Sequence, residues 1–156
     1  MAQIVGFNLK KIKAEKEATE IKREVDIKSN FSIIDIKKEE IPLGKEKEVL
    51  SFDFKFDVVY EPKIAVISFE GFVLLMADEK EAKEILKEWK KKNVKEELRL
   101  LIYNQILIKC SIKALQYEEE FNLPFHLPMP RFTQQPPIKQ AKENKEKGKT
   151  TQDYTG

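Results

Sequence analysis

The two residue types best suited to nucleophilic or metal-binding chemistry occur once each, as Cys110 and His126. A cysteine can attack a substrate as its thiolate, and a histidine can serve as the base or bind zinc. Cys110 stands among aliphatic residues of a helical stretch, where a small buried side chain is expected. His126 stands between two apolar residues, with no Asp or Cys near it in sequence to complete a triad or a zinc site. We therefore predict a structural or surface histidine and an inert cysteine.

The remaining residues supply no recognisable catalytic motif. The carboxylates lie in Lys/Glu runs typical of solvated helix faces, and the five glycines form no Gly-rich loop that could hold a phosphate. A single cysteine allows no intramolecular disulfide, which is typical of a reducing cytoplasm. The sequence thus predicts a protein that binds other macromolecules, with no enzymatic activity, no cofactor and no metal.

Length and composition indicate one soluble domain. The chain has 156 residues, and charged residues make up 36% of them, mostly Lys and Glu. This bias is typical of heat-adapted proteins, so we expect a thermophilic source. The start of the chain lacks the apolar core of a signal peptide. The longest apolar stretches are too short or too interrupted to span a bilayer, so we expect no membrane span.

Alternating apolar residues predict four strands. A first strand covers about residues 4–13, with three apolar side chains on one side: Val5, Phe7 and Leu9. The stretch Ile21–Ile36 changes parity near Ile33, which predicts a second strand with a bulge. Leu50–Tyr60 alternates without a miss, as in a strand with one face in the core. Ile64–Met76 is apolar on both parities, so both faces of the fourth strand should be covered, at least at its far end.

Two helices should follow the strands. Asp78 begins the short one, with Glu81 as the partner in a capping box. The long one covers about Val94–Phe121 and has two apolar stripes. The first stripe comprises Val94, Leu98, Leu101, Ile108, Ile112 and Leu115, and the second comprises Tyr103, Leu107, Cys110, Ala114, Tyr117 and Phe121. So wide an apolar arc indicates either a deeply buried helix or a homo-oligomer, dimer or tetramer, whose interface is Leu101, Ile108, Ile112 and Leu115.

The chain after the long helix changes character twice. Three prolines interleaved with large apolar residues over 122–132 predict an extended segment that drapes over the domain. From residue 133 the sequence is polar, which predicts a domain at 1–132 and a flexible tail at 133–156. Five tail lysines could contact the phosphates of RNA: Lys139, Lys142, Lys145, Lys147 and Lys149. They favour an alternative function as an accessory protein of the ribosome or another ribonucleoprotein, which the acidic Glu143 and Glu146 oppose.

The predicted element order is α+β: four antiparallel strands, a short helix, a long helix and a Pro-rich segment. Two segments add to it, Phe69-Glu-Gly-Phe-Val-Leu-Leu-Met76 and Phe121-Asn-Leu-Pro-Phe-His-Leu-Pro-Met-Pro-Arg-Phe132. In this order and in these segments the chain resembles, over about residues 4–132, the SecB-like family of protein-export and holding chaperones. The resemblance implies ATP-independent binding of unfolded or nascent polypeptides in grooves beside the sheet. It also implies tetramers built from dimers through helices and edge strands.

Eight large, adaptable side chains near the fourth strand and the Pro-rich segment suit such binding. They are Phe72, Leu74, Met76, Phe121, Leu123, Phe125, Leu127 and Met129. The competing interpretations are that most of them fill the core, or that the chain is an interaction scaffold for one dedicated partner. The family's acidic docking surface for a translocation ATPase has no residue-by-residue match here, because Lys55 separates Asp53 from Asp57.

Overall fold

A computed structural model describes residues 2–18, 24–42, 44, 46–130 and 132. Its elements are β1 (Gln3–Lys16), β2 (Asp26–Glu39), β3 (Lys47–Glu61), β4 (Ala65–Asp78), α1 (Glu79–Lys90) and α2 (Glu96–Glu120). The strands form one antiparallel sheet in the order β1-β4-β3-β2. The predicted α+β class and its element order are confirmed. Strands β3 and β4 are central, whereas β1 and β2 are the edges.

The core lies on one face of the sheet, where the regular alternation of β3 meets the odd-numbered residues of β4. Phe56 pairs with Phe69 and Phe52 with Val73 across the two central strands. These side chains are buried together with the inward residues of α2, and the ring of Phe69 lies 6.2 Å from that of Tyr117. Because alternate strand residues point to opposite faces, this contact identifies the face that the helices cover.

The opposite face of β4 carries Phe72, Leu74 and Met76, which are half-buried. Both helices pack on the core face. The prediction that both faces of β4 are covered therefore holds for one face only. The second apolar set of β4 therefore keeps a part of its surface in contact with solvent.

Bulges interrupt both edge strands. In β2 the register shifts between Ile33 and Asp35, and the additional residue, Ile34, is exposed, so the predicted bulge is confirmed. In β1 the register shifts beside Ile4 and again after Leu9. The first shift leaves Val5 exposed, and the prediction that Val5 lies on the same side of the strand as Phe7 and Leu9 is therefore wrong. A single inserted residue reverses the face on which the next side chains lie, and alternation alone does not show it.

Helix α1 begins after Asp78, which has the extended conformation of an N-cap residue. The Asp78 side chain makes no capping hydrogen bond, so the predicted capping box does not form through it; its Oδ1 lies 3.8 Å from Nζ of Lys47. Near the end of the helix, Nε1 of Trp89 donates a 3.2 Å hydrogen bond to Oδ1 of Asp35 in β2. This bond attaches α1 to the edge of the sheet.

Helix α2 is 25 residues long, or about 37 Å at the usual rise per residue. Its buried side is the row Ile102, Ile106, Cys110 and Ala114. The last two belong to the second predicted stripe, but Ile102 and Ile106 belong to neither, and Leu107 is exposed instead of buried. The two-stripe prediction is therefore only partly correct. Helical spacing alone does not show which arc of a largely apolar helix meets the sheet.

Candidate functional site

The segment that follows α2, residues 122–130, turns back from the helix end. Asn122 has a left-handed backbone with φ of 53°, the conformation that commonly terminates a helix. The amide of Leu123 then donates to the carbonyl of Glu118 at 2.8 Å, and the Leu123 side chain is buried. We call residues 123–127 the strap, because they lie across the core at this end of the sheet.

The strap is attached to α2 by a buried carboxylate. Glu118 is completely buried, and the side chain of His126 is 2% exposed. The Glu118 carboxylate accepts a hydrogen bond from the backbone N–H of His126 at 2.8 Å and lies 2.8 Å from Nδ1 of its ring. Charged groups are buried in proteins when partners of this kind compensate them, so the two residues require each other.

Two contacts attach the strap to the sheet. The hydroxyl of Tyr60, in β3, donates to the carbonyl of Pro124 at 2.5 Å. Burial, and then the nearby Glu118, raises the pKa of Tyr60, so the hydroxyl keeps the proton that it donates. The ring of His126 lies edge-on to Phe56, with centroids 6.4 Å apart. The strap thus covers the side chains at the end of the core.

Ser111, His126 and Glu118 are placed in the order of a hydrolytic triad, with Nε2 of His126 lying 3.4 Å from Oγ of Ser111. Two features oppose a catalytic function. First, all three side chains are buried. Second, Ser111 lies within the long helix, whose backbone amides already donate to carbonyls one turn earlier and are not available as an oxyanion hole. The arrangement is therefore structural. Sequence reasoning missed it because it searched near His126 for Asp or Cys and not for a glutamate eight residues earlier.

The eight residues predicted to bind clients are divided between the two faces of the sheet. Phe125, Leu127 and Met129 follow the helix and are 42%, 39% and 47% exposed. Phe121 is half-buried and Leu123 belongs to the core, so neither offers a full side chain to a partner. We call Phe125, Leu127 and Met129 the strap patch.

The other three predicted residues form the sheet patch, Phe72, Leu74 and Met76, on the face away from the helices. The ammonium of Lys10 lies over the ring of Phe72, 5.4 Å from its centroid. Asp53 and Asp57 share this face and already have partners, in Lys37 at 3.2 Å and Ser68 at 2.5 Å. Charged and polar residues therefore border the sheet patch.

A third apolar surface runs along the outside of α2. Leu101, Ile108 and Ile112 are exposed and Leu115 is half-buried, on the side of the helix away from the row that packs on the sheet. Ile108, with 59% of its surface exposed, is the most exposed of these. These are the four residues predicted to form an oligomer interface, and the structure brings them together as one stripe.

Two sequence predictions, the RNA contact and the domain boundary, concern residues that the structure does not describe. The five tail lysines lie outside the described residues, and so does the boundary at residue 133.

Burial raises the pKa of the Cys110 thiol to about 12, as suits an inert side chain. Among the described residues no three His, Cys, Asp or Glu side chains are grouped to hold a metal ion. In the same part of the chain neither helix is long and apolar enough to span a membrane.

Comparisons with known proteins find likenesses among solved structures only. No protein-family model matches the chain, and no curated protein matches it. Among solved structures, a similar chain is the SecB-like chaperone Rv1957 of Mycobacterium tuberculosis, in complex with a ChAD peptide from the HigA1 antitoxin. The TM-score is 0.48 and the identity 14%, over 85% of this chain and 90% of that chain. The α+β fold of the present chain is established by its own strands and helices.

Proposed function

We propose that this protein is an ATP-independent holding chaperone, which binds non-native polypeptides on the strap patch and the sheet patch. The observation that carries the proposal is the exposure of Phe125, Leu127 and Met129 in one short segment. Exposed apolar side chains that adjoin one another mark sites of interaction.

The strap patch is suited to extended, unlike sequences. Prolines at 124, 128 and 130 restrict the backbone to extended conformations, so the segment loses little entropy when a partner binds it. Phe and Met side chains can repack against partners of different shape. Such a surface favours many clients of moderate affinity over one partner of exact fit.

The sheet patch supplies a second apolar surface on the opposite face. A long unfolded client that contacts both patches binds the second one at a high effective concentration, which raises its overall affinity above that of either patch alone. The polar border of Lys10, Asp53 and Asp57 keeps the protein soluble when no client is bound.

The test is suppression of the aggregation of a chemically denatured client, without nucleotide, at several client-to-protein ratios. Phe125→Asp and Leu74→Asp should each weaken suppression, because a carboxylate is costly to desolvate against an apolar chain. Ile41→Asp is the matched control, since Ile41 is exposed and lies outside both patches. Each variant is first checked for native circular dichroism.

The outcomes separate the possibilities. No suppression by the unmodified protein over a range of clients refutes the holding function. Equal weakening by Ile41→Asp would show that the effect is a general one of added charge. Capture of one specific protein, with no suppression of others, would identify a dedicated scaffold instead.

The stripe on the outside of α2 is the surface proposed for self-association. A second copy is the occupant, because heptad-like spacing of Leu101, Ile108, Ile112 and Leu115 matches the way that one helix packs against its copy. Sedimentation at micromolar concentration should show an oligomer, which Ile108→Glu disrupts and Lys109→Glu, on the adjacent polar side, does not. A monomer of 18.3 kDa for the unmodified protein would refute this part of the proposal.

A further inference from the structure

We infer that the Glu118–His126 pair is a latch, which opens together with the strap and thereby controls the access of clients to the apolar surface beneath it. The inference deepens the holding function and rests on it, because the gating of clients has meaning only if clients bind. The opening of the strap itself can be measured without any client.

Within the part of the chain that the structure describes, the strap is joined to the rest of the protein by few hydrogen bonds, and most of them converge on Glu118. Its carbonyl accepts from the amide of Leu123, and its carboxylate accepts from the amide and the ring of His126. Tyr60 adds the bond to the carbonyl of Pro124. None of the four described strands pairs with the strap, so breaking these contacts releases it without disturbing the ladder of β3 and β4.

Opening would uncover a surface of the kind that a client needs. Leu123, the first residue of the strap, is buried in the core, and from the sheet the ring of Phe56 and the hydroxyl of Tyr60 contact other residues of the strap. The exposed strap patch lies in and directly beyond the same segment. An opened strap therefore joins the patch to fresh core surface, and an extended client can replace the strap on that surface.

The carboxylate explains why the closed state prevails. When the strap leaves, Glu118 loses both of its bonds to His126, and the loss of these charge-assisted hydrogen bonds is a cost that opposes opening. A client must therefore supply enough apolar contact to offset the cost, so weakly apolar segments are rejected. The latch sets a threshold on what binds.

Hydrogen exchange at the amides of residues 123 and 126 tests the latch directly. In His126→Ala these amides should exchange about tenfold faster or more, because a bond to a charged group has been removed. Amides of β3, β4 and the Ile102–Cys110 part of α2 should keep their rates. Phe125→Ala is the matched control in the same segment and should leave both amides unchanged, since Phe125 belongs to the exposed patch.

Unchanged exchange at residues 123 and 126, or an equal increase over the whole protein, overturns the latch. If His126→Ala does not fold, Glu118→Gln decides: it keeps the shape of the side chain, removes its charge and should speed exchange at the same two amides. The gating is tested separately, because a loosened strap should bind a denatured client several-fold more tightly. Faster exchange with unchanged client affinity overturns the gating alone, whereas no client binding by the unmodified protein overturns the holding function.

Discussion

Replacing Gly71 by alanine should detach the edge strand β1 from β4. Gly71 pairs with Leu9 beside the second bulge of β1. A Cβ atom at this position would lie 2.1 Å from the backbone oxygen of Asn8 and 3.0 Å from the Cα of Leu9. Both are backbone atoms of a neighbouring strand, so no side-chain rotation relieves the clash. A glycine inside a strand often marks such a close approach.

The loss in the free energy of unfolding follows from the shift of β1 that the added methyl group requires. Strand β1 must shift by about 1 Å before the two atoms reach van der Waals contact. Overpacking of this kind costs about 1–3 kcal/mol, and each ladder hydrogen bond lost near Leu9 costs about 1 kcal/mol more. We therefore expect the free energy of unfolding to fall by about 3 kcal/mol, a large share of the roughly 5–15 kcal/mol typical of a folded domain.

Urea denaturation at fixed protein concentration is the assay. A loss of this size should lower the midpoint by about 1–3 M, given slopes of about 1–3 kcal/mol per molar urea. Gly6→Ala is the matched control in the same pair of strands, because its Cβ would meet side-chain atoms of Leu74 and no backbone atom, with the nearest, Cδ1, at 3.2 Å. A Gly71→Ala midpoint equal to that of Gly6→Ala would refute the close approach.

Three further predictions concern other parts of the chain. Iodoacetamide should label Cys110 only after denaturation, because burial holds its pKa near 12 and keeps it as the thiol; rapid labelling of the native protein would contradict this. Asp35→Ala should destabilise the protein by about 1 kcal/mol and shift the emission of Trp89, the single tryptophan, because it removes the acceptor of the indole N–H; an unchanged spectrum would show that the bond is absent in solution. Deleting residues 133–156 should leave the urea midpoint unchanged, since they bring little apolar surface to bury, whereas any binding of RNA should disappear; loss of soluble protein would contradict it.

The sequence by itself determined most of the secondary structure, because strand and helix periods are local properties. The alternation over Leu50–Tyr60 identified β3 and its buried face correctly. The change of parity near Ile33 located the bulge in β2, since a slipped register appears directly as a slipped pattern. The order of elements followed, and with it the α+β class.

The tertiary structure alone decided which of two equivalent apolar faces is covered. Both parities of β4 are apolar, and packing of the helices buried the odd-numbered set and left Phe72, Leu74 and Met76 on the other face. In α2 it likewise placed Ile102 and Ile106 inward, although their spacing is no more helical than that of Leu101 and Ile108. Period fixes which residues share a face, but not which face meets the rest of the chain.

The pairing of Glu118 with His126 also depended on tertiary structure. A glutamate near the end of a charged helix reads as a solvated side chain, and only the reversal of the chain at Asn122 brings His126 back over it. Burial under the strap then removes water from both groups, so each becomes the partner that the other requires. Sequence periodicity describes neighbours along one element, whereas this contact joins a helix to the segment that folds back on it.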